Sequence, residues 1–442
     1  MIRHTRFLAA TLMVAASCAW VSTAGATGMK NNYGGSSNPD VIIEWNQLLQ
    51  QNIGGAPFLQ MRGYSMMHIA MADAVVAIDG RYGPFHARVW APRGASAEAA
   101  AAQAGHDVFF ALISAQPARD AADALLAARL AGIPPGQRNL GVNTGKKAAA
   151  AIIDWRANDG YATANPQPPA YLGSTLPGVW RATATGPFQF SEIGNVEPFG
   201  LLTVTQFLVV PYPQLESAEY ADNVNEVKRV GRNIAPLTDR TEAQTRFAQL
   251  FASSGPYANP TTPFRLWSNV ARDLAQQKKL SLTATARLFA MTFASMHDSV
   301  QNSQHAKAVY RLWRPETAIA NADVDNNPAT DADTTWVPLI PTPPYPAYPS
   351  NMTCIGTGAS RMLANLLGND AQTFSATWYK ADNTVLWSEP YTSLWQLGND
   401  EAWSRIWGGI HFRIDIDESQ VSCTQVADYL YDNYMQPDKR WH

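Results

Sequence analysis

The chain has 442 residues, with 33 Lys+Arg against 36 Asp+Glu and a formal net charge of −3. That balance excludes a strongly basic nucleic-acid binder as the default. Charged residues are 16% and hydrophobic ones 46%, against overall disorder, and no apolar run of about 18 residues follows the N-terminus, against a polytopic membrane protein.

The chain opens on Arg3, His4 and Arg6, followed by an apolar stretch over 7–21 and by Ala24-Gly25-Ala26. This is the pattern of a secretory signal peptide over residues 1–26 and predicts a secreted or periplasmic protein. Beyond it only Cys354 and Cys423 remain, a pair that an oxidising compartment would allow to bond if the fold brings them together. Residues 27–39 read as an exposed lead-in.

From Val41 onward Trp45, Leu48, Leu49 and Ile53 recur at helical steps. A second helix is predicted over 59–77, with Met67, Ala70, Met71 and Ala74 on one face. The alanine-dense stretch 97–130 breaks near Pro117 and closes at Pro134-Pro135; 140–155 is a further helix. Pro166, Pro168, Pro169, Pro177, Pro187 and Pro198 then forbid a regular element. Helices resume over 217–231, and Asp239 with Glu242 suggests a capping box for a helix to about 253. Leu266, Val270 and Leu274 mark the next helix, and 283–313 is long and helical. A second proline-rich loop spans 328–349, and helices over 351–367 and 410–434 complete the set. Period-2 alternation is scarce, with 202–210 the main ambiguous run. The prediction is an all-α protein of one or two helical bundles with long Pro-rich loops.

Three segments carry chemistry. In Lys307-Ala-Val-Tyr-Arg-Leu-Trp-Arg314-Pro315 the two cations are seven positions apart. On one helix they share a face within about 20° and form a clamp for a tetrahedral oxyanion, unless the pair is simply a solvated basic face. In Pro349-Ser350-Asn351-Met352-Thr353, Ser350 is placed as an N-cap, and the free N–H groups after it suit an anion. The plain alternative is a capped helix with Met352 on its apolar face. In Ser404-Arg405-Ile-Trp-Gly408-Gly409-Ile-His411-Phe-Arg-Ile-Asp415, the Gly pair breaks any helix, so that one starts beside Ile410 with His411 in its first turn. Asp415 can hold one imidazole nitrogen and leave the other basic; a satisfied core His–Asp pair is the alternative. No H-E-x-x-H-type motif supports a divalent-metal site.

The order K-x6-R-P, P-S, S-R-x5-H-x3-D resembles the vanadium-dependent haloperoxidases and the related type 2 phosphatidic acid phosphatases. Trp45-Asn46, the 68–74 segment with His68 and Asp73, and Pro177-Gly178-Val179-Trp180-Arg181 extend the resemblance to most of residues 40–430. It implies two helical bundles related by internal pseudo-symmetry: 27–237 forming the first with its long loop, and 238–442 forming the second and carrying the site. It implies that Lys307, Arg314 and Arg405 neutralise bound vanadate or phosphate, and that Ser350 and the Asn351 N–H add hydrogen bonds. His411 would bond vanadium, or attack phosphorus, with Asp415 orienting it. Halide and hydrogen peroxide, or a phosphate ester, would be the small-molecule substrates.

The family pattern after Pro-Ser is Gly-His, and here those places hold Asn351 and Met352. Methionine has no proton to give, and loss of a general acid removes roughly 10²–10⁴-fold of rate. Three readings follow: a haloperoxidase-like enzyme using another donor such as water, His68, His297 or His305; a phosphatase limited to good leaving groups; or a non-catalytic phosphate or vanadate binder.

Overall fold

The computed structural model describes residues 38–164, 172–234, 238–252 and 254–438. The expected signal segment and three of the six prolines of the first loop (Pro166, Pro168 and Pro169) lie outside the described residues. The described residues form one compact unit. Among the described residues no helix is long and apolar enough to cross a membrane.

The first half contributes α1 (Asp40–Asn52), α2 (Pro57–Asp79), α3 (Ala97–Leu112), α4 (Gln116–Ala131), α5 (Pro135–Arg156), the single turn α6 (Tyr161–Ala164) and α7 (Ala218–Val230). Pro135 opens α5 rather than closing the helix before it, because a first-turn N–H has no intrahelical partner to lose. The second half contributes α8 (Glu242–Leu250), α9 (Pro263–Gln277), α10 (Leu282–Tyr310), α11 (Pro315–Ala320) and α12 (Asn351–Leu367). The antiparallel hairpin β1 (Phe374–Tyr379) and β2 (Val385–Tyr391) follows, then α13 (Leu394–Trp407) and α14 (Arg413–Asn433). The box of α8 is formed by Thr241 and Gln244, not Asp239 and Glu242. The hairpin is where strand structure lies, and 202–210 is irregular.

α10 is the hub, packing on α2, α12 and α14. It is buried on nearly every face, including Gln301, Asn302, Ser303 and Gln304. These polar side chains hold the long irregular section. Asn302 Nδ2 donates to Val204 O (2.7 Å), Gln304 Nε2 to Phe190 O (2.9 Å), and Asp298 accepts the N–H groups of Phe199, Gly200 and Leu201 at 2.7–3.0 Å. A loop rich in proline cannot satisfy its own backbone, and this helix does so for it.

α2 and α10 pack against each other through matching positions of their sequences. Tyr64, His68 and Asp73 have counterparts in Phe289, Phe293 and Asp298, each 225 positions later. The ring contacts are exchanged accordingly: Tyr64 stacks on Phe293 at 4.6 Å, His68 meets Phe289 at 4.9 Å, and His68 stacks on Phe293 at 5.1 Å between them. Asp73, like Asp298, takes three consecutive backbone N–H groups, those of Phe85, His86 and Ala87.

α12 sits between α10 and α13 at close range. A Cβ on Gly356 would fall 2.7 Å from Glu401 Oε2 on α13, and one on Gly358 would fall 3.1 Å from Ser295 O on α10. Those two glycines let the helix that begins at Ser350 approach both neighbours. Cys354 on α12 and Cys423 on α14 are buried free thiols, side by side across that packing.

Candidate functional site

Lys307 and Arg314 do not share a helix. α10 ends at Tyr310, with Arg311 in the left-handed region (φ 51°), and Arg314 is the extended residue preceding α11, whose first residue is Pro315. A residue before proline is pushed out of the helical region, so the long helix must end before Arg314. The reversal at Arg311 brings the two cations together by a turn instead of a heptad.

Ser350 caps α12 as expected. Its Oγ accepts from Thr353 N (3.3 Å) and Thr353 Oγ1 (2.9 Å), which leaves its own hydroxyl proton uncommitted. The N–H groups of Asn351 and Met352 occupy the first helical turn, where no intrahelical carbonyl reaches them. The Asn351 side chain is pinned away from that end: Nδ2 donates to Gln304 Oε1 (2.9 Å) and Oδ1 accepts from Ser303 (2.7 Å). Met352 is only half-buried and is not part of the apolar core.

His411 lies before α14 rather than in its first turn, since Gly408 and Gly409 end one helix and the next starts only at Arg413. The reach to Asp415 survives, at 2.7 Å from Nδ1 to Oδ2, and the same oxygen accepts the Phe412 N–H at 3.0 Å. Arg314 Nη1 stands 3.0 Å from His411 Nε2. A guanidinium can only donate, so Nε2 is the acceptor and the proton is on Nδ1, held by Asp415. Burial, then the charges of Arg314, Lys307 and Arg405, hold the imidazole well below its ordinary pKa. It is a neutral ring with its lone pair aimed at a cation.

The electrostatics of the cluster are lopsided. Lys307, Arg314 and Arg405 are all buried, and none is ion-paired to a carboxylate among the described residues. Lys307 spends its three donors on the carbonyls of Pro346, Ala347 and Pro349. It therefore supplies charge, and not hydrogen bonds, to anything bound beside it. Arg314 donates to Tyr345 O (2.8 Å) and Ile410 O (2.7 Å), and Arg405 to Ser404 Oγ (3.2 Å), yet Nη2 of each arginine is buried without a partner. Both guanidiniums are pushed down to about 10, chiefly by burial. Burial, then the charge of Arg314, holds Lys307 well below its ordinary value, and burial pushes Asp415 up to about 7. A buried cation without a counter-ion is costly, and the two arginines with an unpartnered Nη2 ask for an anion. Arg405 also lines a cavity of about 10 Å³ with Ser254, Ile340, Pro341, Pro343 and Ile410, space for about one water.

The three candidate proton donors lie elsewhere. His68 is buried against Asn46 (2.9 Å) and the aromatic stack, and is pushed down to about 3 by burial. His297 contacts Asp298 at 3.1 Å and meets Phe199 edge-on. His305 precedes Lys307 by two residues on α10, so it faces the other side, where it backs onto Gly194.

Residues 287–438 match the family described as VCPO second helical-bundle domain. A bacterial vanadium-dependent iodoperoxidase structure aligns over 92% of this chain and 100% of its own, with a TM-score of 0.75 at 22% identity. The chain has the vanadium-haloperoxidase fold. The family match is confined to residues 287–438, the part that holds Lys307, Arg314, Ser350, Arg405, His411 and Asp415. Bacterial vanadium-dependent chloroperoxidase in its holo and apo forms aligns over 88% and 86% of this chain, and 96% and 95% of its own. The TM-scores are 0.66 and 0.65, at 18% and 16% identity. No curated protein matches the chain.

Within this haloperoxidase-like bundle the sequence reading missed Glu401 and Tyr345. Glu401 lies four residues before Arg405 on α13, a helix the reading did not delimit; the Glu-x-x-x-Arg spacing was its signal. Its Oε2 accepts from Trp267 Nε1 at 2.7 Å, and Oε1 has no partner. Burial pushes this carboxyl up to about 8, with Arg405 pulling the other way. At pH 7 the folded protein therefore keeps a proton that the unfolded chain has released above its ordinary 4.5. The stability contributed here is whole below that unfolded value and is lost as pH rises towards 8. Glu401→Gln is expected to flatten this fall by up to about 1.4 kcal/mol per pH unit, read from urea midpoints across the range. An unchanged slope would mean Glu401 is ionised in the fold.

Proposed function

We propose that the protein is a secreted or periplasmic vanadate-dependent haloperoxidase-like enzyme, oxidising halide with hydrogen peroxide in the cluster around His411. The observation that carries this reading is the neutral His411 Nε2 lone pair facing Arg314 amid the buried Lys307, Arg314 and Arg405, none of them ion-paired to a carboxylate among the described residues. The residues fit a tetrahedral oxyanion. The unpartnered Nη2 groups of Arg314 and Arg405, the free Ser350 hydroxyl proton and the first-turn N–H groups of α12 are all donors in want of acceptors.

Vanadate bound there would supply a Lewis acid that activates peroxide toward halide. Arg314 and Arg405 would hold its oxygens, Lys307 would lower the cost of its negative charge, and His411 Nε2 would bond the metal. Asp415 keeps the Nδ1 proton in place, so the lone pair stays on Nε2. Phosphate fits the same donor set, since it presents the same charge and tetrahedral oxygens.

The test is bromination of a small diketone by the purified protein with vanadate, peroxide and bromide, each omitted in turn. Turnover that needs all three supports the assignment. Hydrolysis of phosphate esters with good leaving groups, inhibited by vanadate, would replace it with the phosphatase reading. Stoichiometric anion binding with neither activity would leave a binding protein. Met352→His is expected to raise turnover about tenfold or more, since it restores an acid–base group at the mouth of α12. Retained anion affinity with no change in rate would show that a proton donor does not limit this protein.

A further inference from the structure

The donors around His411 raise the question of where a proton for the bound group resides. His411 Nε2 is an acceptor and its Nδ1 proton is committed to Asp415. Lys307 is spent on three carbonyls, the Asn351 amide is tied to α10, and Met352 has no proton to offer. The arginines keep theirs. One further group packs its ring against Lys307 and Arg314.

Tyr345 lies in the second proline-rich loop, half-buried, with its ring 5.3 Å from Lys307 Nζ and 5.1 Å from the Arg314 guanidinium carbon. Its backbone is fixed at both ends: its N–H donates to Pro343 O at 2.9 Å and its carbonyl accepts Arg314 Nε at 2.8 Å. The phenol oxygen is within electrostatic reach of both Arg314 and Arg405. The neighbouring hydroxyls of Tyr310 and Tyr348 are used up on the carbonyls of Val209 and Val210. No described residue bonds the Tyr345 hydroxyl. The charges acting on it are those of Arg314 and Arg405, which offer it no acceptor, and Nη2 of each is buried without a partner. A single oxyanion would satisfy all three at once.

We infer that Tyr345 is a hydrogen-bond donor to the oxyanion held by Arg314, Arg405 and His411, and that its phenol carries the proton which Met352 cannot. Burial raises the phenol while the two guanidiniums lower it, so it remains protonated, and donating, through neutral pH. The inference rests on the anion-site reading given above, and its test separates the two.

Orthovanadate and, separately, inorganic phosphate are titrated calorimetrically into the wild-type protein and into Tyr345→Phe, with thermal unfolding as a check on the fold. The variant keeps the ring over Lys307 and Arg314 and removes an oxygen that no described residue bonds, so its unfolding temperature without anion is expected to be unchanged. Its affinity for both anions is expected to fall about tenfold or more, as for a lost hydrogen bond to a charged group, and kcat to fall further while the halide KM holds. Wild-type binding with equal affinity and kcat in the variant would overturn the role of Tyr345 alone. Absence of binding in the wild type would overturn the anion site and this role with it.

Discussion

His411→Ala is expected to weaken orthovanadate binding by at least about 100-fold while leaving the fold intact. The imidazole is the one group in the cluster that presents a nitrogen lone pair, and coordination to a metal centre cannot be replaced by the remaining N–H donors. The truncation is mild for the scaffold. Arg314 Nη1 keeps Ile410 O, and Asp415 Oδ2 keeps the Phe412 N–H. The loss also removes the one hydrogen bond that links the Asp415 side chain to Arg314 through the ring. Titration of vanadate into both proteins, followed by calorimetry, reads the effect directly. Phosphate gives an internal comparison: bound without a covalent bond to the imidazole, it should lose far less affinity than vanadate does. Equal affinity of variant and wild type for vanadate would place the anion away from His411.

How much of this was legible in the sequence depends on whether a feature is local. Ser350 as N-cap, the limits of α12 and the four-residue reach from His411 to Asp415 are properties of a few adjacent residues, and they were read correctly. Lys307 and Arg314 were expected to share one helix face, and the fold brings them together without one. A heptad face requires one helix, and Pro315 together with the left-handed Arg311 forbids it. The hairpin of β1 and β2 was missed although aromatic residues and the turn at Asn383 (φ 63°) mark it, because an alanine- and leucine-rich context favoured helices throughout. The relation between α2 and α10 is visible as Tyr64, Met66, Met71, Asp73 and Val75 against Phe289, Met291, Met296, Asp298 and Val300. A search for short repeat periods does not find a spacing of 225 positions. Glu401 and Tyr345 matter only through what packs beside them, and that requires the fold. The same holds for Asn351, whose side chain could have filled the anion cradle and is instead tied to Ser303 and Gln304.

Arg405→Met separates binding from scaffolding most cleanly, because its two effects have opposite signs. In the protein without anion, Arg405 is 3% exposed, makes one side-chain hydrogen bond to Ser404, and leaves Nη2 without a partner. Its nearest acid, Glu401, is held protonated by burial and is a poor counter-ion. Replacing such a cation with an apolar chain of similar length is neutral or stabilising by about 1–4 kcal/mol in comparable buried sites. The unfolding temperature without anion should therefore hold or rise. Anion affinity should fall by at least about 1.5 kcal/mol, more than tenfold, as expected for a charged hydrogen bond. The wild-type protein should gain stability as vanadate or phosphate is added, by about 2.7 kcal/mol at a hundred times the dissociation constant. At the same anion concentration the variant should gain much less. Thermal unfolding of both proteins across one anion titration measures every term. If the variant is instead less stable without anion and binds as tightly as wild type, Arg405 is a structural residue and the unpaired positive charge of this site has another purpose.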